Sequence, residues 1–245
     1  RRVDWLVDCG PERDFKRITR AYLRSRGINR MEGLVLTHGD AAHIGAAASV
    51  VRGFRPAEFI DTPAPDRSRV HQALIAHLAE QRIARQLCGA GSDFDLGRGV
   101  TARVIFPPAQ QRARAADDQA MVAQLIVHDR WRILLMSDSG EGTERLLLAN
   151  GEDLRSDILI KGQHHSGHSG SPEFLDAVRP QTIVASSPRF PENERVKEDW
   201  AHMVSARGIK LLRQDETGAV TLRFFANRWE AVPHLTGETF RSTSR

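Results

Sequence analysis

Three clusters of histidine and aspartate each follow an apolar run of the sequence. They read HGDAAH at 38–43 after LVLT, SDS at 137–139 after ILLM, and HHSGH at 164–168 after ILIKGQ. Short apolar runs of this kind predict buried strands, and the carboxyl ends of strands line the ligand crevice of α/β sheets. The three clusters can therefore converge on one point, although the sequence separates them widely, if the chain folds into α/β layers.

The residue types in these clusters indicate a metal centre. Histidine and carboxylate are ligands of zinc, manganese or iron, and both cysteines, Cys9 and Cys88, lie outside the clusters. Side chains two apart on an extended loop point the same way, so His38 and Asp40 can hold one cation. His43 can reach the same cavity from the start of the next helix. A loop-capping network explains this triplet taken alone, whereas the three clusters together favour a hydrolytic metal centre.

The composition fits an ordinary globular chain: 245 residues, 40% hydrophobic and 27% charged. No apolar run approaches the roughly 18 residues of a membrane span. Strands are predicted near 32–37, 57–60, 100–106, 122–127, 133–136, 158–160 and 182–185, before a closing hairpin with strands at 210–213, 219–225 and 229–232. Helices are predicted at 13–26, 43–54, 70–87, 141–149, 172–178 and 194–207.

Positive charge is concentrated at the amino end. The net charge is +4, and residues 1–30 hold nine basic and four acidic side chains. In the helix predicted at 13–26, one arc is apolar, with Phe15, Ile18, Tyr22 and Leu23. The opposite arc is basic and consists of Arg13, Lys16, Arg17, Arg20 and Arg24. This basic arc is a candidate nucleic-acid-binding surface, and the alternative is the solvated face of a helix that packs on the core.

The motif THGDAAHIG follows LVDCGP and EGLVLT and precedes LLMSDSG and KGQHHSGHSGSPEFLDAVRP. With the closing RQDETGAVTLRF, these segments resemble the metallo-β-lactamase-fold domain of the ComEC family of DNA-uptake competence proteins over nearly the whole chain. The resemblance implies an αββα sandwich, a four-layer fold of the α/β (α+β) class, with residues 1–245 as one domain. It also implies one or two divalent ions, zinc or manganese, between two facing sheets, and no small-molecule organic cofactor.

In that family the soluble domain is attached to a multi-pass channel protein and is thought to degrade the DNA strand that is not imported. The resemblance therefore implies two partners, single-stranded DNA and the membrane channel portion of the same polypeptide. It places the domain in an integral cell-membrane protein, facing the outside or the periplasm. A chain that starts in mid-fold without a span of its own is expected for a domain excised from such a protein, without its first strand or two.

The family's metal motif, His-x-Asp-x-Asp-His, falls on His38, Asp40, Ala42 and His43, so alanine replaces the second aspartate. The aspartate that bridges the metals in the family falls on Asp138. The resemblance implies that His38, Asp40 and Asp138 hold one ion. A second ion would be held by His43 and Asp138, together with the last histidine of the motif.

That last histidine falls on His164 or His165, so both are candidate metal ligands. His168 is a candidate general acid that would protonate the leaving oxygen, and it can equally be a loop residue that faces solvent. Asp40 and Asp138 are the other candidate catalytic residues.

The leading hypothesis is a metal-dependent phosphodiesterase that acts on DNA. A second is a degenerate domain of the same fold that binds DNA or supports the channel without cutting, and Ala42 favours it. A third is a metal-dependent hydrolase of small esters, lactones or thioesters. Activity on such esters without activity on DNA would select the third hypothesis.

Overall fold

The computed structural model describes residues 3–64, 68–108, 117–164, 167, 169–188, 192 and 195–242. Its first sheet, sheet A, has four short parallel strands in the order β1-β2-β3-β4: β1 (Trp5–Val7), β2 (Gly33–Val35), β3 (Glu58–Asp61) and β4 (Gln86–Leu87). The connections contain α1 (Glu12–Asp14), a π-helical segment (Phe15–Thr19), α2 (Arg20–Ser25), α3 (Ala41–Ile44), α4 (Ala47–Phe54) and α5 (Arg69–Glu80).

The second sheet, sheet B, has seven strands in the order β11-β10-β9-β8-β7-β6-β5. They are β5 (Asp93–Gly97), β6 (Val100–Phe106), β7 (Val122–Val127), β8 (Trp131–Leu135), β9 (Ile158–Lys161), β10 (Thr182–Ala185) and β11 (Lys210–Arg213). A 3-10 turn (Asp117–Gln119) precedes β7, and the helices are α6 (Glu141–Ala149), α7 (Pro172–Val178), α8 (Glu198–Ala206) and α9 (Gln214–Thr217). Sheet C closes the fold with β12 (Val220–Phe224), β13 (Trp229–Pro233) and β14 (Phe240–Arg241).

Sheet B separates two apolar cores, because successive residues of a strand point to opposite faces. Leu134 and Leu159 pack with side chains of α6, α7 and α8. Their neighbours Ile133 and Ile158 pack with Trp229 and the rest of sheet C. One face of sheet B is therefore covered by helices and the other by β-structure.

Sheet A is arranged in the same way, with helices on its outer face. Leu34 packs with side chains of the π segment, α4 and α5. Val35 and Ile60, on the opposite face, pack with Val104 of sheet B. The layers are thus helix, sheet, sheet and helix, and the αββα sandwich predicted from the sequence is confirmed.

Several segments differ from the sequence prediction, which included neither β5 nor β14 and expected a turn where α9 lies. The helix predicted over 70–87 ends at Glu80, because Arg82 has a left-handed φ of 53° and redirects the chain into β4. Gln86 and Leu87 then pair with β3. The helix predicted over 194–207 begins at Glu198.

The apolar arc of the first helix is only partly buried. Phe15 and Leu23 belong to the core, whereas Ile18 is 53% and Tyr22 61% exposed. The π-helical register between α1 and α2 rotates the residues that follow it relative to those before it, so one stripe of side chains cannot stay on the core. Among the described residues, no helix combines the length and the apolar character needed to cross a membrane.

Candidate metal centre

Strand ends from sheets A and B meet at one edge of the sandwich. Asp8 follows β1 and His43 lies in α3, just after β2, while Asp138 follows β8. His43 Nε2 lies 2.7 Å from Asp138 Oδ2, and Thr37 Oγ1 lies 2.9 Å from Ser137 Oγ. Polar contacts therefore join the two sheets where the sequence predicted that the clusters converge.

Hydrogen bonds fix the tautomer of His38. Thr37 has one hydroxyl proton, and Asp8 accepts it, since Oγ1 lies 2.7 Å from Asp8 Oδ2. Thr37 Oγ1 is then the acceptor toward His38 Nδ1, 2.9 Å away, so Nδ1 is the protonated nitrogen. Burial and the neighbouring His43 lower the pKa of His38, which keeps the ring neutral. His38 Nε2 is left with a free lone pair.

That lone pair has no hydrogen-bond partner in the described part of the chain, although His38 is only 2% exposed. Its nearest carboxylate is Asp117, with Oδ1 4.0 Å from Nε2. Ligand atoms of His38, Asp40 and Asp117 all lie within 4.8 Å of one another. An orphaned imidazole nitrogen beside two carboxylates fits a divalent cation.

Asp40 is held in place by the helix that it caps. Its Oδ1 accepts the backbone N–H of Ala42 at 2.7 Å, at the start of α3. Asp117 comes from the 3-10 turn before β7 and is 8% exposed. Asp117 is not among the ligands predicted from the sequence, although residues 117–120, Asp-Asp-Gln-Ala, stand where the resembled family usually has Asn-Asp-Asn-Ser before the same strand.

His43 lies between two carboxylates. Its Nδ1 is 3.1 Å from Asp8 Oδ2 and its Nε2 is 2.7 Å from Asp138 Oδ2, and its ring centroid is 4.4 Å from that of His38. Burial alone would lower the pKa of His43, but the hydrogen bonds to Asp138 and Asp8 outweigh burial and raise it to about 10. His43 is therefore an imidazolium, and its single positive charge offsets part of the negative charge of Asp8 and Asp138.

Gly162 allows Asp138 to reach its position. A Cβ atom at Gly162 would overlap Asp138 Oδ1, and the Gly162 N–H donates to Ser137 O at 2.6 Å. No pattern in the sequence indicated this close approach. Because the backbone of Gly162 packs on the Asp138 carboxylate, the residue that follows β9 helps to orient that side chain.

The third cluster is described only in part. His164 is 8% exposed, and its Nε2 lies 3.0 Å from Asp118 Oδ1. His165 and His168 lie outside the described residues. The structure thus brings His38, Asp40, His43 and Asp138 into one cluster and places His164 against a carboxylate.

The predicted basic arc lies on α1, the π-helical segment and α2. Some of its cations are paired within the protein and others are not. Arg13 and Arg17 lie 3.7 and 3.3 Å from carboxylate oxygens of Asp14. Arg24 donates to the carbonyl of Gly53 at 3.1 Å and stacks on the Phe54 ring. Within the described ranges, Lys16 and Arg20 have no ion pair. They are the cations of this arc that remain available to a ligand.

Comparisons with known proteins agree with this arrangement. The sequence model of the Metallo-beta-lactamase superfamily matches residues 5–70. Competence protein ComA of Neisseria gonorrhoeae is 30% identical over 198 residues, which are 81% of this chain and 26% of that protein. ComE operon protein 3 of Bacillus subtilis (strain 168) is 21% identical over 83% of this chain and 26% of its own length. The chain spans about a quarter of the length of these curated relatives.

Among solved structures, CmlA, a diiron β-hydroxylase from Streptomyces venezuelae, has a TM-score of 0.51 and 11% identity. The similarity covers 76% of this chain and 44% of CmlA, and it shows the fold alone. The sequence match, the four-layer fold and the similarity to competence proteins over about four fifths of the chain agree with one another. The chain has the metallo-β-lactamase fold and is similar to competence proteins of the ComEC family over about four fifths of its length.

Proposed function

We propose that this domain is a metal-dependent phosphodiesterase that cleaves DNA. The observation that carries the proposal is His38 Nε2, a buried nitrogen with a free lone pair beside Asp40 and Asp117. ComA is a competence protein by name, and ComE operon protein 3 belongs to the ComEC family of competence proteins. This similarity supports DNA as the substrate. The basic arc of the first helix, where Lys16 and Arg20 have no ion pair with any described residue, supports binding to a phosphate backbone.

The residues present can hold zinc or manganese. His38, Asp40 and Asp117 form one ligand set. His43 and Asp138 would form a second, to which the family resemblance adds His164 or His165. When bound, such an ion polarises a phosphoryl oxygen and lowers the pKa of a water molecule. Imidazole ligates only when neutral, so His43 must release its proton before it joins the second set.

The protein's own residues prepare this site. Asp8 accepts a hydrogen bond from His43 Nδ1 and turns Nε2 toward Asp138. Asp8 also holds Thr37, whose hydroxyl sets the tautomer of His38. Asp40 and Asp138 act as ligands that position the reacting groups, and His168 is proposed to protonate the leaving oxygen.

A non-catalytic role is the second candidate, and Ala42 is the observation that favours it. Ala42 is exposed in the first turn of α3 and presents a methyl group where the family motif has a carboxylate. The second ligand set therefore lacks one oxygen. In this alternative the domain binds DNA or supports a channel without cutting.

For the whole protein, the proposal is that residues 1–245 form one domain of a longer integral membrane protein. The channel portion of the same polypeptide would deliver a single DNA strand to this domain. The domain would face the outside of the cell or the periplasm.

Substituting Asp138 should remove most of the bound metal, because its carboxylate serves the second ligand set and adjoins the first. We expect metal content, measured by elemental analysis after dialysis against zinc or manganese, to fall in Asp138→Ala. Asp153→Ala is the matched control, because Asp153 is a surface carboxylate paired with Arg132, and it should leave metal content unchanged. Unchanged metal content in Asp138→Ala would contradict the assignment.

Gly162→Ala tests the same site without removing a ligand. The new methyl group must displace the Asp138 carboxylate, so metal affinity should fall by roughly 10- to 100-fold, the range found when a ligand loses its support. Gly142→Ala adds a methyl group that meets no atom within 4 Å and should bind metal like the parent. Equal affinity in both variants would show that Asp138 is not a ligand.

Restoring the family's carboxylate by Ala42→Asp separates the catalytic proposal from the non-catalytic one. The added oxygen should raise metal occupancy toward about two ions per chain and increase manganese-dependent cleavage of DNA. Ala41→Asp places the same charge one residue earlier on the helix and serves as the control. If Ala42→Asp gains neither metal nor cleavage, the non-catalytic role is the better explanation.

Lys16 and Arg20 should contribute to DNA affinity through counterion release. The double variant Lys16→Gln/Arg20→Gln should flatten the slope of log affinity against log salt by about 0.7–0.9 for each phosphate that is no longer neutralised, measured by fluorescence anisotropy. Lys210→Gln/Arg223→Gln removes the same charge from exposed positions on β11 and β12 and should keep the parent slope. Equal slopes for all three proteins would make the basic arc ordinary solvated surface.

A further inference from the structure

A cavity of about 470 Å³ opens beside the metal centre, between the end of β9 and the starts of α7 and α8. Its lining includes three cations, Lys161, Arg195 and Lys197, together with Trp200. Lys161 directly precedes Gly162, whose backbone packs on Asp138. The cavity therefore adjoins the cluster that would hold metal.

Lys161 is a buried cation whose surroundings supply little negative charge. It is 5% exposed, its Nζ donates to the carbonyl of Gly162 at 2.9 Å, and it lies 5.0 Å from the centroid of the Trp200 ring. No carboxylate of the described chain lies within ion-pair distance of it. Burial lowers the pKa of Lys161 to about 8, and the charges of Glu144 and Asp138 offset this only in part. An ammonium group has three donors, and among the described residues one of them finds an acceptor, the carbonyl of Gly162.

The nearest buried carboxylate is already engaged elsewhere. Glu144 is 1% exposed and accepts backbone N–H groups of Gly170 and Ser171, the latter at 3.0 Å. It therefore ties α6 to the start of α7 rather than pairing with Lys161. Burial of an unpaired charge is destabilising by several kcal/mol, whereas an apolar side chain of similar shape is tolerated. Stability of the fold alone does not explain a lysine at this position.

Arg195 adds a second group with spare donors. Its Nε is buried and has no hydrogen-bond partner in the part of the chain that is described, while its Nη2 lies 3.4 Å from Asp215 Oδ2. The acidic side chains that also line the cavity, Glu141, Glu173 and Asp199, are exposed in the first turns of three helices. The buried Lys161 ammonium and the buried Nε of the partly exposed Arg195 thus face the cavity, whereas the carboxylates that line it belong to exposed residues.

We propose that Lys161 and Arg195 bind a phosphate group of the nucleic-acid strand, next to the phosphate at the metal centre. The anion supplies the counter-ion that Lys161 lacks among the described residues and accepts the free donors of both side chains. The position of this phosphate beside the one that is cleaved rests on the proposed function. Binding of an anion by Lys161 and Arg195 can be tested without metal.

The test measures binding of inorganic phosphate to the metal-free protein by calorimetry and by its effect on the melting temperature. Lys161→Met should weaken binding by roughly tenfold or more, since charged hydrogen bonds are lost. Its melting temperature without phosphate should equal or exceed that of the parent, and phosphate should no longer raise it. Lys161→Arg keeps the charge and should retain binding. Lys210→Met is the matched control, because the Lys210 ammonium lies 3.9 Å from the Phe240 centroid but outside the cavity, and it should bind like the parent.

Phosphate affinity that is equal in the parent and Lys161→Met, or absent in the parent, overturns the proposal. A Lys161→Met variant that unfolds, together with a folded Lys161→Arg that binds no phosphate, also overturns it and gives the lysine a purely structural role. If the protein cleaves DNA, Lys161→Met should raise KM for DNA by a larger factor than KM for bis(p-nitrophenyl) phosphate, because that diester has no neighbouring phosphate to bind. Phosphate binding through Lys161 without any DNA cleavage would support the anion site and reject the proposed phosphodiesterase.

Discussion

The hydroxyl of Thr37 joins the two sheets at the candidate metal centre, and the hydrogen-bonding state of His38 depends on it. It donates to Asp8, which follows the edge strand of sheet A, and it contacts Ser137, which follows β8 of sheet B. Because its single proton goes to Asp8, it must accept from His38 Nδ1. One shared hydroxyl thus aligns the two sheet edges and leaves His38 Nε2 as a free lone pair.

Partial compensation of charge by His43 helps to stabilise the cluster in the absence of metal. Asp8 and Asp138 would repel each other across the site, and the imidazolium of His43 lies between them. The proton on His43 Nε2 therefore lies where a metal ion bound by His43 and Asp138 would lie. His38 is neutral and Asp117 lies 4.0 Å away, so the first set has no such proton between its members. The two sets should consequently differ in how their metal affinity depends on pH, with the second releasing more protons.

The sequence predicted the layers and the members of the centre, and it did so through different signals. Apolar runs located β7, β9 and β10, because strands that are mostly buried on both faces leave continuous hydrophobic segments. Polar clusters after such runs located His38, Asp40 and Asp138, because the ends of strands in layered sheets share an edge. The resemblance to the ComEC family indicated that Ala42 stands where the family's metal motif has a second aspartate.

Other features could not be read from the sequence, because they arise from long-range packing. Asp117 approaches His38 only once β7 enters sheet B, and Gly162 matters only because the Asp138 carboxylate lies against it. Lys161 is the last residue of an apolar strand, a position where a lysine is ordinarily exposed. The neighbouring sequence does not indicate that its ammonium is buried near the Trp200 ring. The exposure of Ile18 and Tyr22 follows from a π-helical register that periodicity does not predict.

The central claim is that His38 Nε2 is a metal ligand prepared by the tautomer that Thr37 enforces. Diffraction from crystals grown with zinc, recorded on both sides of the zinc absorption edge, tests it most directly. The account predicts an anomalous peak about 2.0–2.1 Å from His38 Nε2, shared with carboxylate oxygens of Asp40 and Asp117. A protein saturated with zinc that shows no peak at His38 Nε2 would contradict it.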